Sequence, residues 1–124
     1  MGIFNRNSAE LHGQWLSLTD EAQLQSIIKA SHQKPQVLFK DSTSCGISAG
    51  VKHGLVSDWS TIEDKADFHY LDLLSYRSIS NKIAEVSGVT HQSPQVIIYH
   101  HGVVIAETSH HAISVSFIER ALTV

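Results

Sequence analysis

The stretch that decides the fold runs from Pro35 to Ser48: Pro35-Gln36-Val37-Leu38-Phe39-Lys40-Asp41-Ser42-Thr43-Ser44-Cys45-Gly46-Ile47-Ser48. Gln36 to Lys40 is short, apolar and bounded by a proline, the pattern of a buried strand. Asp41 to Ser44 reads as a polar loop. After it Ile47, Val51 and Leu55 recur every fourth residue, which predicts a helix with Cys45 at or just before its N-terminus. Gly46, Gly50 and Gly54 recur on the same helix. Each costs about 1 kcal/mol relative to Ala, so packing must hold this helix in place.

Working outward, Met1 to Leu18 has no clear period and is read as a lead-in, residues 1–18, docked by Trp15 and Leu16. Thr19, followed by Asp20 and Glu21, is the expected cap of a helix whose buried face carries Leu24, Ile27 and Ile28. Downstream, Ala66 to Leu74 is a strand candidate, and Ile79, Ile83 and Val86 mark a helix closed by Gly88. Gln95 to Tyr99 and Val103 to Glu107 flank a tight His-His-Gly turn, a hairpin signal. Ser114 can cap a last helix bearing Phe117, Ile118 and Leu122. The order is α-β-α-β-α-β-β-α in one α/β domain, residues 1–124, with a mixed sheet of about four strands and helices on both faces. That is the thioredoxin-like order.

Composition narrows the function. The chain has 124 residues, 42% of them apolar and 17% charged, enough for a sizeable core and too apolar for a disordered tail. The formal net charge of −3 leaves no basic surplus for phosphates, so nucleic acid is not an expected partner. No apolar run approaches a membrane span, no export signal is visible at the start, and Arg6 stands where myristoylation wants Ser or Thr. The expectation is a cytoplasmic domain away from membranes. A single cysteine rules out an intrachain disulfide, so redox chemistry must borrow its second sulfur from another molecule.

Cys45, between a strand end and a helix start, is where backbone N–H groups and the helix dipole favour a thiolate. Thr43, Ser44, Gly46, Ile47 and Ser48 around it are mostly small or hydroxyl-bearing and leave room for an incoming sulfur. Ser48 stands where a C-x-x-C motif would place its resolving cysteine, and a hydroxyl cannot close a disulfide. The competing reading is a buried structural cysteine, since free Cys is among the most buried residue types. Ser93-Pro94 opens the third strand of this reading. A cis-proline there faces the cysteine in a thioredoxin-like sheet, although an ordinary trans proline opening a strand is the commoner case. Lys40 and Lys52 could favour a thiolate and Asp41 oppose it, unless all three are exposed. His91 could support the thiol or brace its loop. The pairs His100-His101 and His110-His111 read as solvated loop residues rather than metal ligands.

In these residues the chain resembles the monothiol bacilliredoxins of the YtxJ type. The resemblance runs from about Leu16 to Ile113. It rests on Pro35 with Val37-Leu38-Phe39-Lys40, Ser42-Thr43-Ser44-Cys45, Ile47-Ser48-Ala49, Tyr70-Leu71-Asp72, Ser80-Asn81, Ile83-Ala84-Glu85, Gly88-Val89, His91-Gln92-Ser93-Pro94-Gln95-Val96 and Ser109-His110. It implies a thioredoxin-like fold and one redox cysteine, Cys45. It further implies protein substrates whose cysteines are capped by bacillithiol, a small thiol that serves as co-substrate with no bound cofactor. Thr43, Ser44, Gly46, Ile47, Ser48, Ser93, Pro94 and Gln95 are then the substrate-binding candidates. Regeneration needs a second small thiol or an external reductase. One departure stands out: the family usually has proline after the cysteine, and this chain has Gly46. Cys45-Gly46-Ile47-Ser48 is also similar to the C-G-F-S motif of monothiol glutaredoxins, some of which share an iron–sulfur cluster between two subunits. A cluster carrier and a redox-inert binding module are the alternative functions.

Overall fold

The computed structural model describes residues 15–42, 46–57 and 59–123. In chain order the elements are β1 (Trp15–Ser17), α1 (Glu21–Ala30), β2 (Gln36–Asp41), α2 (Gly46–Ser57), β3 (Asp67–Asp72), α3 (Arg77–Ser87), β4 (Gln95–His100), β5 (Val103–Ser109) and α4 (Val115–Leu122). Short 3-10 turns, Trp59–Thr61 and His110–Ala112, follow α2 and β5. The strands form one sheet in the order β1-β3-β2-β4-β5. β1 and β2 run parallel to β3, while β4 and β5 are antiparallel.

Alternation along the central strands fills both faces of this sheet, because a strand covered by helices on both sides must be apolar throughout. Val37 and Phe39 of β2, with Val96 and Ile98 of β4, pack with Val51, Leu55 and Ile118 on the α2/α4 face. Leu38, Ile97 and Tyr99 point the other way, into a second core with Leu24 and Ile27 of α1 and Ile79 and Ile83 of α3.

Two sequence expectations need correcting. The end of the lead-in is a fifth strand: Trp15 pairs with Phe68 and is buried against Phe68, Trp59 and Phe39, at ring distances of 5.1, 5.6 and 5.9 Å. Three residues are too few to show a period, and aromatic contacts distant in sequence hold them. The cap of α1 is Asp20, not Thr19. Asp20 Oδ1 accepts from Gln23 N at 3.0 Å, and Gln23 Oε1 accepts from Asp20 N at 2.9 Å, a reciprocal capping box.

Other expectations hold as read. Gly88 ends α3 in the left-handed region with φ 74°, where glycine pays no Cβ penalty. The β4–β5 turn places His101 and Gly102 at φ 59° and 81°, the twist-matched hairpin form. Ser114 Oγ caps α4 by accepting from Phe117 N at 3.0 Å. At the hairpin tip, Ser31 at the end of α1 accepts from His101 N through its carbonyl at 2.8 Å and from Gly102 N through its hydroxyl at 2.9 Å. The same hydroxyl donates to Ile28 O at 2.6 Å. No described helix is long and apolar enough to cross a membrane.

Candidate active site

β2 ends at Asp41 and α2 begins at Gly46, so the chain delivers Cys45 to the junction between the middle of the sheet and a helix N-terminus. Thr43, Ser44 and Cys45 lie outside the described residues. Gly46, Ile47 and Ser48 supply the backbone of the first turn of α2, whose first amides have no partner inside the helix. No acidic residue in that turn opposes the partial positive charge there.

Pro94 follows Ser93 through a cis peptide bond and directly precedes β4. Gln95, the next residue, is paired in register with Lys40 of β2 and Ser109 of β5. The Gln95 side chain is fully buried. Its amide donates to Thr90 O at 2.9 Å and its carbonyl accepts from Gln92 N at 3.4 Å. The side chain therefore braces the turn from within. Ser93 Oγ is buried with no hydrogen-bond partner among the described residues.

Charge at this end of the sheet differs from the sequence expectation that Lys40, Asp41 and Lys52 could be exposed. Their exposures are 0%, 0% and 4%. Asp41 extends β2 rather than opening a loop. It sits on the face of Phe39, where α2 covers the sheet, and Lys52 Nζ of α2 lies 3.2 Å from its Oδ2. Tyr70 of β3 donates its hydroxyl to the same oxygen at 2.7 Å, and the Lys52 ammonium stands 5.8 Å from the Tyr70 ring centre. Asp41 Oδ1 is buried with no partner among the described residues.

Lys40 points to the opposite face, with Leu38, and its Nζ also lacks a hydrogen-bond partner among the described residues. Burial lowers its pKa to about 8. His91, four residues after α3 ends at Ser87, is exposed and has its Nδ1 3.4 Å from Ser80 Oγ. Desolvation, then the charges of Lys40 and Arg77, hold its pKa below the usual value. A neutral His91 braces the turn against α3 rather than lending a positive charge to the thiol.

Among the described residues nothing closely approaches two of the α2 glycines: a Cβ at Gly50 or Gly54 would meet nothing within 4 Å. Among the described residues no group of three or more His, Cys, Asp or Glu could hold a metal. His69 illustrates why the many histidines do not converge. It is partly buried on β3, its Nε2 lies 2.8 Å from Gln36 Oε1, and burial lowers its pKa to about 4.

Sequence reasoning missed the Asp41–Lys52–Tyr70 cluster. Parity was the available signal, since a strand apolar on both faces places Lys40 and Asp41 inside once the strand extends through them. Tyr70 carried no local signal at all.

Residues 16–118 match the family described as monothiol bacilliredoxin BrxC. Among solved structures, a thioredoxin-fold chain is 28% identical with a TM-score of 0.76, over 88% of this chain and 94% of that one. Thioredoxin from Fasciola hepatica (14% identity, TM-score 0.69, covering 87% and 96%) and from Malassezia sympodialis (18%, 0.67, covering 91% and 91%) share the fold.

Proposed function

The chain belongs to the monothiol bacilliredoxin family, which carries a thiol–disulfide redox role, and on that premise we propose that it removes bacillithiol from mixed disulfides on proteins through Cys45. The observation that carries this reading is the junction itself. The one cysteine is delivered between β2 and the first turn of α2, with a cis-proline opening the neighbouring strand β4.

In the proposed reaction the Cys45 thiolate attacks the bacillithiol sulfur of a protein–bacillithiol disulfide. A bond forms between Cys45 Sγ and that sulfur, the old S–S bond breaks, and the client's sulfur leaves as a thiolate that takes a proton from water. A second bacillithiol thiolate, or an external reductase, then attacks the capped Cys45 and restores its thiolate. With bacillithiol as reductant the products are bacillithiol disulfide and free Cys45, so electrons balance without a bound cofactor. Ser48 cannot take the resolving role because a hydroxyl forms no disulfide. The amides of Gly46 and Ile47, which have no acceptor inside the helix, would stabilise the thiolate, and the Ser93-Pro94-Gln95 backbone would align the substrate. The expected setting is the cytoplasm, with S-thiolated proteins as partners and neither nucleic acid nor membrane involved.

Intact-mass analysis after exposure to bacillithiol disulfide and, separately, glutathione disulfide tests the reading. The expected result is a fast, reversible single adduct with bacillithiol that is absent from Cys45→Ser. A folded protein that takes neither adduct would refute it. A preference for glutathione would refute the choice of thiol.

A further inference from the structure

On the α1 face of the sheet, a cleft of about 310 Å³ opens where α1 starts beside the edge strand β1. That volume is at the small end of small-molecule sites. Register builds its floor: Leu16 of β1 stands opposite His69 of β3, and cross-strand partners project to the same face. Leu38, the β2 partner of His69, enters the core beneath α1 and α3, which identifies that face. Ala22 and Ile27 of α1 add an apolar wall, and Leu16, 56% exposed, extends it to the rim.

Hydrogen-bond accounting selects the ligand. The buried Gln36 side chain donates its amide to Lys34 O at 3.0 Å and to Asp67 Oδ2 at 2.9 Å. Its Oε1 is therefore the acceptor that lies 2.8 Å from His69 Nε2. This network assigns His69 the Nε2–H tautomer and leaves Nδ1 as an acceptor. Burial keeps the ring neutral, with a pKa of about 4. Gln23, which also lines the cleft, is saturated: its Oε1 accepts from Thr19 and Asp20, and its Nε2 donates to Ser17 O. Asp20 gives Oδ1 to Gln23 N and retains Oδ2. The Ser26 hydroxyl can serve as donor or acceptor. No Lys or Arg lines the cleft, and Lys34, beyond Gln36, is paired with Asp67 at 3.3 Å. The capping box occupies the start of α1 and Glu21 adds a second negative charge there, so this helix end does not favour an anion. Among the described residues, the cleft thus offers two acceptors, one of them anionic, beside an apolar wall.

We propose that this cleft binds a small organic ammonium, with its N–H groups donated to Asp20 Oδ2 and His69 Nδ1 and its apolar body on Leu16, Ala22 and Ile27. The site is separate from the exchange chemistry assigned to Cys45 and does not depend on it.

The test is an NMR titration of the full chain at pH 7 with benzylamine, benzyl alcohol and benzoate, which share a ring and differ in the head group. Benzylamine should give saturable amide shifts at Leu16, Asp20 to Ile27 and His69. Benzyl alcohol should bind roughly tenfold more weakly, and benzoate should leave these amides unmoved. Nα-acetyl-lysine amide presents the same ammonium on a polypeptide side chain, and should also bind more weakly than benzylamine. Tighter binding of that compound would assign the cleft to a partner's lysine and overturn the small-ligand proposal. Asp20→Asn keeps a good helix cap while removing the charge, and should weaken benzylamine about tenfold. His69→Phe keeps a ring and removes Nδ1, with a loss of about the same size. If His69→Phe does not fold, the ring nitrogens of the wild type supply the readout: Nδ1 should resonate as an unprotonated nitrogen and shift on adding benzylamine. A protonated Nδ1, benzoate binding as tight as benzylamine, or unchanged affinity in Asp20→Asn overturns the proposal.

Discussion

Replacing Lys40 by Met should make the protein more stable at neutral pH, and the gain should disappear in alkali. Methionine keeps most of the length of the side chain among Leu38, Leu71 and Ile97 while removing the buried charge. The folded pKa of about 8 lies below the ordinary lysine value of 10.5. Between those two values the unfolded chain still holds a proton that the folded chain has released, so wild-type stability rises with pH across that window. Below pH 8 the full cost of the buried ammonium is present. The gap of about 2.5 pH units corresponds to about 3 kcal/mol. Lys40→Met should thus exceed the wild type by up to about 3 kcal/mol at pH 7, the two curves converging by about pH 10.5. Urea unfolding at pH 7, 8, 9 and 10, followed by the fluorescence of buried Trp15 and Trp59, measures the difference. A variant less stable than wild type at pH 7, or a difference that does not change with pH, would refute the reasoning.

Two further outcomes follow from the same region. Lys52→Met leaves the buried Asp41 carboxylate with the Tyr70 hydroxyl and without its counter-charge, and should cost about 3–5 kcal/mol in urea unfolding. A loss below 1 kcal/mol, on the order of a surface ion pair, would show that the pair does not hold α2 to the sheet. Gly50→Ala and Gly54→Ala enter open space inside a helix and should each stabilise by about 1 kcal/mol, measured as a rise in urea midpoint at unchanged slope. A loss of stability at either position would mean that something does approach that face.

The sequence made the two-faced sheet legible because β2 and β4 are continuously apolar and their alternate residues feed separate cores. It made α3 and α4 legible because both carry local end signals, Gly88 and Ser114. β1 was not legible: its register depends on Trp15 finding Phe68 and Trp59, contacts that no window around residue 15 contains. Thr19 misled because serine, threonine and aspartate are all good caps, and only the reciprocal bonds with Gln23 distinguish Asp20. At the site, the junction that delivers Cys45 and the proline that opens β4 could be read from spacing. The charges beneath them could not. Whether Lys40, Asp41 and Lys52 are solvated or buried depends on where a strand stops, and one extra residue of β2 changes the answer.

The bonds at Ser31 carry a consequence for the connectivity of the whole chain. They join residue 31 to residues 101 and 102, closing a loop that contains β2, the cysteine segment, α2, β3, α3, the cis-proline turn and β4. Everything assigned to the chemistry lies inside that closure, and β1, α1, β5 and α4 lie outside it or at its rim. One serine thus ties the C-terminal end of α1, just before β2 begins, to the turn that ends β4. The elements outside that closure still lean on it: β1 pairs with β3, Ser109 of β5 pairs with Gln95, and His110 N donates to Pro94 O at 2.9 Å.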